Sequence, residues 1–145
     1  MDSKEYEDDR FERGVAIAAS MLGEEFGERM RKHVYAGGFL ADLGRHGMTQ
    51  SYTDCWSRDG LDRKSRSLVT IGALIGMRQP NELKNHIKIG VANGLTTREI
   101  EELLIQLSTY VGFPCVASAS TAVVEALREL GMAPDATTSE ERGVL

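Results

Sequence analysis

Thr96-Thr97-Arg98-Glu99-Ile100-Glu101-Glu102-Leu103-Leu104-Ile105-Gln106-Leu107 is the stretch that decides how this chain folds. The Thr96 hydroxyl can accept a hydrogen bond from the amide of Glu99, while the Glu99 carboxylate reaches back to the amide of Thr96. That reciprocal pair satisfies two of the orphan donors at a helix start. Ile100, Leu103, Leu104, Leu107 and then Val111 recur at the spacing of one helical face.

The same logic extends outward in both directions. Pro114 is pre-set in φ for the first turn of a last long helix. Val116, Ala119, Val123, Val124, Leu127 and Leu130 form its stripe, and Gly131 stops it. Toward the N-terminus, Pro80 opens a helix that Gly94 closes. Before it, residues ~62–77 carry Leu68, Val69, Ile71, Ala73, Leu74, Ile75 and Met77, apolar on nearly all sides, as a central buried helix should be. Gly60 marks a turn and Asp62 a candidate N-cap for that helix. A short helix is expected at ~48–57, a longer segment at ~24–42 with a weak point at Gly37-Gly38, and a first helix at ~5–20 ended by Gly23. No strand and no internal repeat emerges. The expectation is an all-α, single-domain helical bundle of about six to seven helices over 1–131. Residues 132–145 are small and polar and are expected to form a flexible C-terminal tail.

Composition agrees. A chain of 145 residues suits one domain. Aromatic residues are 6 %, so small aliphatic side chains must fill the core, which favours closely packed helices over a β-sandwich. The net charge is -5, and Arg63, Lys64 and Arg66 form a tight basic group in an otherwise acidic chain. Nucleic-acid binding, which needs a basic face, is not expected. No run approaches the roughly 20 apolar residues of a membrane helix, and the acidic first residues hold no apolar signal region. A soluble, cytoplasmic protein without membrane contact is the expectation. Cys55 and Cys115 are far apart and form no Cys-x-x-Cys, so neither a disulfide scaffold nor a dithiol motif is expected. Three histidines without a Cys/His cluster give no support to a metal site.

His86 is the first candidate for chemistry. Glu82 lies one turn earlier on the same face, close enough to orient the imidazole and stabilise its charged form, which would raise its pKa. A histidine near neutrality can move one proton. The plain alternative is a structural histidine bridging two helices. Trp56, the only tryptophan, and Arg58 stand beside the Gly60-Leu61-Asp62 turn, where an indole and a forked guanidinium can hold a planar carboxylate. They can equally be a core anchor and a surface ion pair. Arg66, one turn after Arg63, leads into the apolar run and is a candidate for substrate or for a buried pair. Tyr110-Val111-Gly112-Phe113-Pro114 joins two helices, and Cys115 follows at a helix start. With no neighbouring base, Cys115 is expected to be a wall residue and not a nucleophile.

Cys55-Trp56-Ser57-Arg58-Asp59-Gly60-Leu61-Asp62-Arg63, Glu82-Leu83-Lys84-Asn85-His86, Asn93-Gly94-Leu95-Thr96 and Tyr110-Val111-Gly112-Phe113-Pro114, in this order, resemble the carboxymuconolactone decarboxylase family over about half the chain. The resemblance implies an all-α fold that assembles as a ring-like homotrimer or homohexamer. It also implies decarboxylation of an unsaturated lactone or related carboxylic acid without a cofactor or metal, in aromatic-compound catabolism. It puts His86 in the role of proton donor with Glu82 orienting it. Trp56, Arg58, Arg66, Tyr110 and Cys115 become substrate contacts. The chain departs from the family pattern at Asp59, at Phe26-Gly27-Glu28-Arg29 and at Cys115-Val116-Ala117-Ser118, which implies a remodelled pocket. A lactone isomerase or a natural-product tailoring enzyme on the same fold, and a non-catalytic binding or assembly protein, stay open as alternatives. The related alkyl hydroperoxidase D branch carries Cys-x-x-Cys ahead of its histidine. Gln79 and Glu82 occupy those positions here, which argues against thiol peroxidase chemistry.

Overall fold

The computed structural model describes residues 2–144, and among these the regular structure is helical throughout. The chain divides at Asp62 into two compact units, Met1–Asp62 and Arg63–Leu145. None of the described helices is long and apolar enough to cross a membrane.

The first unit begins with α1, Ser3–Leu22, whose N-cap Asp2 accepts from the amide of Glu5 at 2.8 Å. Phe11, Val15, Ala18 and Ala19 form its buried stripe, and Gly23 ends it at φ +91°. The segment expected over ~24–42 is broken in two. Helix α2 spans Glu24–Ala36, Gly37 and Gly38 both take positive φ, and α3 spans Ala41–Gly47. The expected short helix at ~48–57 is present but is π-wound over Met48–Trp56. Its wider turn, with bonds reaching five residues back, puts Met48, Tyr52 and Trp56, four apart, all in the core.

Helix α1 packs on this π-helical segment at Gly14, where a Cβ would lie 2.4 Å from the Met48 carbonyl oxygen. Polar clamps close the same contact. The Thr53 hydroxyl donates to the Arg10 carbonyl at 2.6 Å, and the Arg10 guanidinium grips both oxygens of Asp54. Arg45 lies over the rings of Phe11 and Tyr35, at 5.0 and 5.6 Å, and pairs with Asp8 at 2.7 Å. Burial first, then the bond to Glu12, pushes the Tyr35 hydroxyl up to about 12.

The second unit holds α4 (Arg63–Gly76), α5 (Pro80–Ala92), α6 (Thr97–Ser108) and α7 (Phe113–Glu129). Ile71, Ile75, Leu83, Ile87, Ile100, Val123 and Ala126 are the heart of its core. Full burial of each large aliphatic side chain contributes roughly 1.5–3 kcal/mol. The expectation that α4 is buried on all sides is not met in the single chain. Ser67, Ile71 and Ile75, spaced by four, form its buried stripe, while Val69 and Met77 are about two-thirds exposed. Ser67, fully buried and polar, is satisfied by the side-chain amide of Asn93 at 3.0 Å. The capping box of α6 forms as the sequence predicts. The amide of Glu99 donates to the Thr96 hydroxyl at 3.2 Å, and the amide of Thr96 donates to the Glu99 carboxylate at 2.9 Å. Lys64 reinforces it from α4 at 2.6 Å.

Residues 132–144, expected to fray, make a compact set of contacts with the end of α7. Arg128 donates to the Ala136 carbonyl at 2.6 Å and pairs with Glu141 at 2.5 Å. Thr138 is buried and exchanges bonds with Glu141 in the same reciprocal pattern as Thr96 with Glu99. Arg128 first, then the Thr138 amide, pulls the Glu141 carboxyl down to about 2.

Candidate active site

The clearest concavity in the second unit sits where α4 turns into α5. Helix α4 ends at Gly76, and two bonds close its last turn: the amide of Arg78 donates to the Ile75 carbonyl at 3.1 Å and that of Gln79 to the Leu74 carbonyl at 3.0 Å. This paired closure needs a left-handed residue just after the helix cap, here Met77, at a position where glycine is usual. Arg78 occupies it at φ +57°. Holding a residue with a Cβ there costs about 1–2 kcal/mol. Pro80 then starts α5, which carries no side-chain cap at Gln79.

Beneath this turn lies an apolar cleft of about 160 Å³. Leu74 and Ile75 from α4, Leu83 from α5 and Ala119 from α7 form its walls, with Cys115 and Ser118 on the α7 side and Arg78, Gln79 and Pro80 at the turn. Arg78 is the only charged residue in that lining. The Cys115 thiol is 6 % exposed and donates to the Ile75 carbonyl at 3.0 Å, so its hydrogen ties α7 to the end of α4. The Ser118 hydroxyl donates back to the Pro114 carbonyl at 3.0 Å.

Glu82 and His86 stand together on α5, on either side of the cleft-lining Leu83 in sequence. His86 is half-buried. Its pKa lies below the ordinary histidine value, because burial penalises the imidazolium more than the Glu82 carboxylate favours it. The expectation that Glu82 would raise it therefore has the right sign for the pair and the wrong sign for the sum. Burial is the larger effect, as desolvation is for many enclosed histidines.

The other candidates lie on other elements. Tyr110 is 76 % exposed at the end of α6. Arg66 is half-buried on α4, one position before the fully buried Ser67. Trp56 and Arg58 belong to the first unit, where Trp56 stacks on Tyr52 at 6.4 Å and Arg58 is exposed. Of the residues singled out from sequence, Cys115 is the one in the cleft. Arg78 and Gln79 were not singled out. Their signal was a helix-to-helix joint, Gly76-Met77-Arg78-Gln79-Pro80, with an arginine where the turn calls for glycine. Among the described residues, no group of three or more His, Cys, Asp or Glu side chains is placed to hold a metal ion.

A profile of the carboxymuconolactone decarboxylase family matches residues 45–126. The chain is 31 % identical over 129 residues to the 4-carboxymuconolactone decarboxylase of Acinetobacter baylyi, a match covering 89 % of this chain and 95 % of that protein. It is also 31 % identical over 121 residues to the nitrosuccinic acid decarboxylase npaB of Metarhizium robertsii, covering 83 % of this chain and 82 % of the relative.

Proposed function

This chain belongs to the carboxymuconolactone decarboxylase family, and we propose that it is a carboxy-lyase that removes carbon dioxide from a small organic acid without a cofactor. The observation that supports this most is that two relatives named for different acids share the loss of a carboxylate. The common chemical demand is a carbon that can pass an electron pair to an oxygen. A conjugated lactone carbonyl or a nitro group meets it.

The step balances simply. The carbon–carboxylate bond breaks, carbon dioxide leaves, and the electron pair spreads to the accepting oxygen as a dienolate or its equivalent. A proton then reaches carbon. Donors aimed at the accepting oxygen lower the barrier where charge develops. In this reading His86 supplies the proton, and Glu82 orients its ring and supports the imidazolium. Burial favours the uncharged form of the resting His86. An anionic substrate nearby favours the imidazolium, so arrival of the acid and protonation of His86 are coupled. The reading rests on the second unit alone.

The test is carbon dioxide release from a panel of small lactone and nitro acids. His86→Ala should lower turnover on the accepted acid by about 10²–10⁴-fold with the helical spectrum unchanged, the usual scale for a general acid. Near-full activity in that variant removes His86 from the mechanism. Glu82→Gln should do less harm and move the rate transition to lower pH, since burial then acts on His86 unopposed.

A further inference from the structure

Arg78 is an anomaly on two counts. It holds a left-handed backbone conformation that a glycine would adopt without strain. Its guanidinium also makes no hydrogen bond and no ion pair within the described residues of the second unit. Lys64, Lys84, Lys88, Arg98 and Arg128 are all matched to carboxylates there. Arg78 is exposed to solvent at the edge of an apolar cleft with no other charge in its lining, so its guanidinium is open to the charge of a ligand seated there. Strained residues of this kind gather at ligand clamps.

We infer that Arg78 is the carboxylate receptor of this chain and sets its substrate class: an acid with one charged group beside a compact apolar body the size of a single small ring. The charge follows from the fork of the guanidinium, which matches a carboxylate in two parallel bonds. The body follows from the walls. Leu74, Ile75, Leu83 and Ala119 offer apolar surface, and the cleft's 160 Å³ is close to that of a cavity that accepts benzene. The Cys115 thiol, already donating to Ile75, presents sulfur as a further soft wall. This deepens the decarboxylase reading and rests on it for its catalytic meaning. The recognition itself does not need turnover.

The probe pair is benzoate and benzamide, equal in shape and different in charge, titrated into the full chain and followed by amide chemical shifts. Benzoate should shift the amides of residues 74–83 and 115–119 saturably. Benzamide should bind on the order of tenfold more weakly, the scale of one charge-assisted contact. Arg78→Gly should bring the two probes to parity while the melting temperature stays level or rises, because the turn loses its strain. Arg78→Asn, which tolerates the left-handed conformation, repeats the test if the glycine variant folds poorly. Unchanged benzoate preference in these variants, or no saturable benzoate shift in the parent chain, overturns the inference. If the preference depends on Arg78 but no acid is decarboxylated, the receptor stands and the decarboxylase reading falls. If an acid is decarboxylated and Arg78→Gly leaves its kcat/KM unchanged, the reverse holds.

Discussion

The two units of this chain use charge in opposite ways. In Met1–Asp62, arginines are spent on architecture. Arg10 grips Asp54, Arg31 reaches Glu12 at 2.8 Å, and Arg45 is held between Asp8 and two aromatic rings. The π-helical segment is fastened to α1 through the Arg10–Asp54 pair and through the backbone contact at Gly14. In Arg63–Leu145 the core is a plain aliphatic one, and the ion pairs run along its surface. One arginine is held in a strained turn without a partner. The difference separates a scaffold from a place where a ligand completes the structure.

The comparison can be broken at its strongest point first. Ile87 is fully buried in the second unit's core. Ile87→Ala should cost about 2–5 kcal/mol, the range for removing a core aliphatic side chain. If the units are separate cooperative bodies, hydrogen exchange should quicken by that amount in residues 63–130 and stay unchanged in residues 3–56. Equal acceleration in both would merge them into one.

A smaller effect is expected at the α1 contact. Alanine in place of Gly14 gains about 1 kcal/mol of helix propensity. Its Cβ would lie 2.4 Å from the Met48 oxygen and 2.9 Å from the Thr53 hydroxyl, and a backbone oxygen cannot swing aside. Overpacking of this kind costs about 1–3 kcal/mol. Gly14→Ala should therefore destabilise the first unit on balance, read as faster exchange confined to it. A gain in protection would show that the clamps, and not the close approach, hold α1 in place.

The smallest effect concerns the tail. Glu141 is held at about 2 in the folded chain against an ordinary 4.5. Its contribution is present in full above pH 4.5 and is lost as pH falls toward 2, because the unfolded tail takes up the proton first. The amide of Thr138, bonded to that carboxylate at 2.8 Å, should lose protection over this window. Glu141→Gln should lack the pH step. A step that persists would assign the attachment to another group.

Local rules made most of the helices legible. Thr96 and Glu99, Pro80, Pro114, Gly23 and Gly131 each mark a terminus through their own chemistry, within a turn or so of where it falls. What stayed hidden depends on neighbours. The π-winding of Met48–Trp56 has no turn residue to announce it, although Gly14 of α1 packs closely on it. The tail was misread for a different reason. Thr138-Ser139-Glu140-Glu141 carries the same Thr-x-x-Glu signature as Thr96–Glu99, but no apolar run follows to draw attention to it. In the site, the i, i+4 relation of Glu82 and His86 was readable. The burial that reverses its effect on pKa was not, because it comes from packing around the helix. Arg78 was overlooked because an arginine in a loop looks ordinary until its φ is known.

The seat of Trp56 gives the chain a built-in optical probe. It is the only tryptophan, and it lies in the interior of the first unit, stacked on Tyr52. Indole emission therefore reports that unit alone, and the second unit is dark at those wavelengths. The neighbouring Cys55 is exposed while Cys115 is buried, so a thiol-reactive dye can be placed at one known position beside the indole. The indole's own emission, sensitive to water reaching the ring, would follow the opening of the π-helical turn without any engineered residue.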